Sequence, residues 1–323
     1  MDDEFIIRKI KSSKNNKYTH DYYDSKGVMV KDKDIIGKYT KGIYVPPAYN
    51  NVKLFLDKSL KVLAIGTDIK GRKQYIYHKD FIQKQQNKKF DHMISFGKDF
   101  NKINKKINND FNSMKDSKEK QIAIILKLIM DCHFRVGNER SKNNRAYGTT
   151  TLEKKHLKVK KDSIVVDFIG KKSVRNTCTV KNKRMIKTLK KKRKTLTKND
   201  RIFSYRKGDK YYNIKSSDVN KYLKKFGKYS TKNFRTWGAN IEFILEILKN
   251  NDKNKKNIVK ECITNVSKRL HNTYSVCKSN YIDPELVNLY EEDPERFIDL
   301  FGKGKYSKEM IYQKYVEFLQ NIK

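Results

Sequence analysis

The chain carries 75 Lys and Arg against 36 Asp and Glu over 323 residues, a formal charge of +39. That imbalance limits the fold more than any motif does. A compact body with so much like charge repels itself, and an acidic partner relieves the repulsion. The chain therefore needs a substantial core. Its hydrophobic share is 37%, which is low, but 16 Phe, 20 Tyr and one Trp supply large apolar area and argue against disorder. The length suffices for one large or two modest domains.

The acidic partner that fits best is a nucleic-acid backbone, where each cation near a phosphate releases a counterion. A membrane fits poorly. No basic helix with a greasy face stands out, and no run of 18 apolar residues occurs. The opening Met1-Asp2-Asp3-Glu4 has no apolar signal core, which predicts an intracellular protein. Cys132, Cys178, Cys262 and Cys277 form no CxxC pair and read as reduced thiols. Of the 75 basic residues, 13 are Arg, so bulk charge is supplied by Lys. Each Arg then draws interest, because a guanidinium fork grips phosphate at two points.

Two domains are expected: a β-rich one over 1–85 and a larger, mainly helical one over 86–323, an α+β arrangement. In the first, Leu60–Ile65 is an apolar run, Gly66–Gly71 a turn, and Arg72–Lys79 an alternating strand with Lys73, Tyr75, Tyr77 and Lys79 on one face. That face suits DNA, and equally a solvated strand. Further on, Asp116-Ser-Lys-Glu119 has the form of a capping box. Ile122, Ile125, Leu126, Ile129 and Met130 follow at helical spacing, with Gly137 as the expected C-cap and Arg135 near the helix end. Ser163–Ile169 and Val174–Val180 read as a hairpin with Lys171 and Lys172 at its tip. Residues 181–200 hold ten Lys or Arg and read as a basic helix touching phosphates without sequence preference. Residues 201–250 look helical, with Phe234–Gly238 between two helices. A final amphipathic helix is expected from about 307 to 322.

Several chemistries lack their signatures. There is no GxxxxGK[ST] loop, no GxGxxG before a helix, no HExxH and no Cys/His cluster, and the acidic residues are scattered. No nucleotide, metal or other cofactor is expected. Strand cleavage, if present, would use a side-chain nucleophile. Arg135, Lys171, Arg235, His271 and Tyr281, in that order, could supply it. Two guanidiniums and an imidazole stabilise the charge that develops on non-bridging phosphate oxygens. A tyrosine oxygen can attack phosphorus, and a lysine can protonate the leaving 5′ oxygen. Each alone is weak. A lone Arg or Lys is more often a surface charge, and one tyrosine among twenty is uninformative.

Their local sequences carry the weight. Gly66-Thr-Asp-Ile-Lys-Gly-Arg-Lys-Gln-Tyr-Ile-Tyr77, Phe134-Arg135-Val136-Gly137, Tyr147-Gly-Thr-Thr-Thr-Leu152, Phe168-Ile-Gly-Lys171, Lys232-Asn-Phe-Arg235-Thr236, Leu270-His271-Asn-Thr273 and Ser279-Asn-Tyr281-Ile-Asp-Pro284 occur in one order. Together they resemble the small, poxvirus-like type IB DNA topoisomerases, from about Leu60 to Pro284. The resemblance implies the fold shared with tyrosine recombinases, closing round duplex DNA as a C-shaped clamp. It implies Arg135 and Arg235 as catalytic arginines, Lys171 rather than Lys172 as general acid, His271 as catalytic imidazole and Tyr281 as nucleophile. It also implies DNA contacts from Arg72, Gln74, Tyr75, Tyr77 and Lys232. The activity implied is relaxation of supercoils through a 3′-phosphotyrosyl link, without ATP or an obligatory metal, by a monomer. A viral member would work in the virion and host-cell cytoplasm. This chain has Leu270 where the family often has Gly, and Asn138 and Ser141 where poxviral members have Lys and Tyr. A tyrosine recombinase is the alternative reading, but its second arginine usually lies in H-x-x-R, and Lys232 holds the first place here. A DNA-packing protein would fit the charge and leave the ordered blocks unexplained.

Overall fold

A computed structural model describes residues 4–15, 17–250, 257–302 and 307–321. The opening acidic Met1–Asp3 lies outside the described residues. The described chain divides into two compact units, Met1–Phe90 and Asp91–Lys323.

The first unit is built on one antiparallel sheet. Its strands are β1 (Phe5–Lys14), β2 (Lys17–Tyr23), β3 (Met29–Val30), β4 (Asn50–Phe55), β5 (Val62–Thr67) and β6 (Lys73–Tyr77), in the order β3-β2-β1-β4-β5-β6. Helix α1 (Lys33–Thr40) covers the sheet, its first turn capped by the Asp32 carboxylate accepting from the backbone N–H of Asp34 and Ile35. Alternation buries Ile6, Val52, Leu54 and Ala64 with Tyr39 and Val45 in one cluster. Strand β6 is the edge, and its alternation leaves Lys73, Tyr75 and Tyr77 exposed together. The long helix α2 (Lys79–Asn112) contains the division between units.

The second unit is mainly helical. Its helices are α3 (Lys118–Cys132), α4 (Glu139–Asn143), α5 (Lys183–Lys194), α6 (Ser216–Leu223), α7 (Thr231–Lys249), α8 (Ile258–Arg269), α9 (Tyr274–Asn280), α10 (Pro284–Glu292), α11 (Pro294–Phe301) and α12 (Lys308–Asn321). A three-stranded sheet, β7 (Leu157–Val159), β8 (Ile164–Ile169) and β9 (Arg175–Val180), stands beside them, as does the hairpin of β10 (Ser204–Lys207) and β11 (Lys210–Asn213). Helix α7 runs through the centre. It buries thirteen of its nineteen residues, so nearly every side chain from Phe234 to Ile247 meets protein. Trp237 is its anchor. The ring stacks on Phe100 at 5.5 Å between centroids and meets Tyr315 at 4.9 Å. A Cβ placed on Gly97 would lie 2.8 Å from the Trp237 ring, so only glycine lets α2 and α7 approach this closely.

Several local expectations change. The α3 cap is Ser117, whose hydroxyl accepts from Lys120 N–H, while Asp116 takes the Gln121 amide. The helix ends at Cys132 with His133 in the left-handed region (φ 52°), so Arg135 sits in an extended segment beyond it. Gly137 also has positive φ (80°), but it serves a chain crossing and caps nothing. Phe234–Gly238 lies inside α7, where the Ser230–Asn233 box starts the helix earlier. Strands β10 and β11 interrupt the stretch expected to be helical. The reduced-thiol reading fails for one pair. Cys132 and Cys178 are disulfide-bonded, because the last turn of α3 lies on β9 with their Cα atoms 5.7 Å apart. A separation of 46 residues gives no local signal of that. Cys262 and Cys277 lie outside the disulfide and are buried. Among the described residues, no helix is long and apolar enough to cross a membrane.

Candidate active site

Four of the five expected catalytic residues converge in the second unit. Arg235 is on the second turn of α7 and 3% exposed. Its Nη2 donates to the Leu270 carbonyl at 3.1 Å, immediately before His271. Its Nε and Nη1 are buried and have no hydrogen-bond partner among the described residues. Its guanidinium lies 5.2 Å from the centre of the Tyr281 ring. Arg135 reaches the same loop from the other side, donating from Nη2 to Asn272 Oδ1. The His271 ring stacks on Phe134, next to Arg135, at 5.6 Å and 27°. Each group therefore touches a neighbour of another, and the four hold one another in place.

The backbone carrying Arg135 is fixed by the Tyr147–Leu152 block. The Arg135 carbonyl accepts from Thr149 N–H at 2.8 Å and from the Thr149 hydroxyl at 3.1 Å. Thr150 does the same for the Val136 carbonyl, at 2.8 and 2.9 Å. The two segments cross at Gly137 and Gly148. A Cβ on Gly148 would stand 2.5 Å from Gly137 N and 2.7 Å from the Arg135 carbonyl oxygen. No side chain fits, which explains both glycines.

Tyr281 ends α9, half-buried. Asn240, fully buried on α7, holds its backbone from both sides. Asn240 Nδ2 donates to the Tyr281 carbonyl at 3.1 Å, and Oδ1 accepts from Asp283 N–H at 2.7 Å. Sequence reasoning missed Asn240. The signal available was an amide at i+5 from Arg235 on an otherwise apolar helix face.

The electrostatics follow from burial among cations. Burial alone would raise the Tyr281 phenol, but Arg235, Arg135 and Lys232 outweigh it and leave the phenol below its ordinary value. Burial, with Arg235, His133 and Arg135 nearby, pushes the His271 imidazole down to about 4. It is therefore neutral at pH 7 and can donate one N–H while accepting at the other nitrogen. The rival tyrosines differ. Tyr290 is 6% exposed, its phenol raised chiefly by burial, and it packs edge-on against Phe297. Tyr274 opens α9.

Lys171 stands apart from this cluster. It follows Gly170 in the β8–β9 turn, exposed, and no hydrogen bond or ion pair joins it to the other four among the described residues. The turn is closed by Gly170 N–H donating to Val174 O at 2.8 Å. Lys172 and Ser173 both adopt left-handed backbone, φ 62° and 59°. The base of the hairpin is nevertheless tied to the site, since Phe168 on β8 packs against Phe134 at 4.9 Å. Lys232 is exposed on the first turn of α7.

The remaining expected DNA contacts lie in the first unit. Tyr75 and Tyr77 are 45% and 37% exposed and their rings stack at 6.2 Å. Gln74 points to the other face of β6. Its amide and the Arg72 guanidinium both donate to Asp68 Oδ2, at 3.0 and 2.8 Å. The Asp68 carboxyl falls to about 2, chiefly through the hydrogen bond from Arg72. Among the described residues, no three His, Cys, Asp or Glu side chains cluster as metal ligands.

Comparisons with known proteins agree on one family. Residues 78–295 match the family described as eukaryotic DNA topoisomerase I, catalytic core. The chain is 32% identical over 315 residues to a DNA topoisomerase 1B of Acanthamoeba polyphaga mimivirus, covering 92% of each chain. It is 24% identical over 255 residues to a DNA topoisomerase I of Monkeypox virus and a DNA topoisomerase 1B of Vaccinia virus (strain Copenhagen), covering 77% of this chain and 78% of each of theirs.

Proposed function

The chain belongs to the type IB DNA topoisomerases, and from that premise we propose that Arg135, Lys171, Arg235, His271 and Tyr281 perform its cleavage and rejoining of one DNA strand. The observation that carries the assignment is Arg235. A guanidinium that is 3% exposed, with two nitrogens that lack a hydrogen-bond partner among the described residues, is costly to bury alone. A phosphate set between Arg235 and Tyr281 would satisfy it.

Tyr281 attacks phosphorus as its phenolic proton leaves, helped by the surrounding cations. The P–O5′ bond breaks, giving a 3′-phosphotyrosyl ester and a 5′-hydroxyl. Arg235, Arg135 and the neutral His271 donate to the non-bridging oxygens, where the added charge collects. Lys171 protonates the departing 5′ oxygen. Its place outside the resting cluster fits a group carried in by the hairpin when DNA binds. The ester keeps the bond energy, so religation needs no nucleotide. Strand rotation between the two steps relaxes the supercoil. We assign Arg72, Gln74, Tyr75, Tyr77 and Lys232 to DNA contact, with Asp68 holding Arg72 and Gln74 in place. The two units, which divide after Phe90, act as a C-shaped clamp round the duplex, in a monomer. The viral relatives fit action in the virion and host-cell cytoplasm. The test is plasmid relaxation in EDTA without ATP. Wild type should relax the plasmid, and Tyr281→Phe should bind it without relaxing it. Relaxation by the variant would overturn the assignment.

A further inference from the structure

One carboxylate in the second unit reaches all three chain segments that bear the converging arginines and histidine. Glu242 lies on α7, two helical turns beyond Arg235, and is 8% exposed. Its Oε2 accepts from Arg269 Nη1, two residues before His271. Its Oε1 faces His133 Nε2 at 3.8 Å, two residues before Arg135. Oε1 also accepts from Lys308 Nζ of α12 at 3.1 Å. We propose that Glu242 is a positioning residue of the active site, setting the Arg135 and His271 segments in register with Arg235 through His133 and Arg269. The inference rests on the roles assigned above to those three groups.

The surroundings favour registration over bulk stability. Replacing a buried ion cluster by apolar side chains is often neutral for stability. Helix α7 is already anchored by its aromatic packing around Trp237. What that packing leaves open is the placing of the Arg135 segment and of the His271 turn at the end of α8. His133 is 3% exposed, its Nδ1 has no hydrogen-bond partner among the described residues, and its backbone is left-handed. A Cβ on Gly238 would come within 2.8 Å of His133 Cε1, so α7 and the Arg135 segment are in direct contact. A shift of Glu242 therefore moves both. Arg269 is shared with a second carboxylate one turn on, Glu246, whose Oε1 accepts from Nη2 at 2.5 Å. The His133 arm belongs to Glu242.

The test is single-turnover cleavage of a duplex whose cut end dissociates, with wild type, Glu242→Gln, Arg269→Met and the double variant. Misplacing donors by a fraction of an ångström should slow cleavage by ~10–10²-fold. Religation should slow by the same factor, because the same donors serve both directions. The fraction finally cleaved and the DNA affinity, measured on a Tyr281→Phe background, should be unchanged. The double variant should be slowed by less than the product of the two single effects, since both break the Glu242–Arg269 contact. Arg269 is 40% exposed, so its variant carries the test if Glu242→Gln does not fold. A wild-type rate constant in both variants overturns the proposal. So does a smaller cleaved fraction at a wild-type rate constant, which would show Glu242 to be merely structural. If wild type itself forms no covalent adduct, the catalytic assignment falls, and this inference with it.

Discussion

Arg235→Ala separates a catalytic guanidinium from a structural one. The residue holds a buried positive charge and donates a hydrogen bond to the Leu270 carbonyl. Removing that charge takes away a desolvation cost as well as one bond and some packing, so stability should change by no more than about 2 kcal/mol. Catalysis should respond very differently. Its Nε and Nη1, without a hydrogen-bond partner among the described residues, are available to the phosphate. Loss of one preorganised donor costs about 10²–10³-fold, and losing both should cost ~10⁴-fold or more. The phenol of Tyr281 also loses the strongest of the cations that lower it, which adds to the defect at neutral pH. Lysine should restore little, because an ammonium cannot present a planar fork. Single-turnover cleavage of a labelled duplex gives the rate, and urea titration gives the stability. Slowing by less than tenfold, or a stability loss above about 4 kcal/mol with wild-type rate in the folded fraction, would refute the reasoning.

Other outcomes follow from the same site. Lys171→Ala should cleave ordinary DNA ~10²–10⁴-fold more slowly. It should recover largely on a 5′-bridging phosphorothiolate, whose thiolate leaves without a proton, whereas Arg235→Ala should not; rescue of Lys172→Ala instead would shift the hairpin assignment by one. His156 and His271 are pushed down to about 4, mainly by burial. Above pH 6.5 both folded and unfolded chains hold them neutral and stability is full. As pH falls from 6.5 towards 4 the unfolded chain takes up protons the folded one refuses, so stability should drop by ~3 kcal/mol per histidine. Urea melts of wild type and His156→Gln at pH 7 and 4.5 check this, and an equal fall in both would contradict it. The Cys132–Cys178 bridge closes a span of 46 residues, so Cys178→Ser should lower stability by up to about 4 kcal/mol, and a reducing agent should do so only in wild type.

What was legible in the sequence depended on how local the cause was. The alternation of Lys73, Tyr75 and Tyr77 is a two-residue period, and the strand exposes those three together. The stripe from Ile122 to Met130 is a helical period, and α3 buries all of it but Met130, which is half-buried. Termination was harder to read. Gly137 looked like a helix end because a positive φ suits glycine, but the reason for glycine there is the crossing with Gly148, eleven residues away. Phe234–Gly238 looked like a break because glycine punctuates helices, yet Gly238 makes room for the His133 ring. Arg135, Arg235, His271 and Tyr281 could be named from ordered sequence blocks. Their mutual support runs through Leu270, Asn272, Phe134 and Asn240, and none of those contacts has a local signature. Alternation puts Gln74 opposite Tyr75 and Tyr77, and its amide donates to Asp68 across the turn.

The most direct test of the central claim is to trap the covalent adduct on a cleavable duplex, digest it, and sequence the peptide that retains the nucleotide. The account predicts a 3′-phosphate ester on Tyr281, with no adduct from Tyr281→Phe. A nucleotide attached to Tyr274 or Tyr290, or linked through a 5′-phosphate, would contradict it.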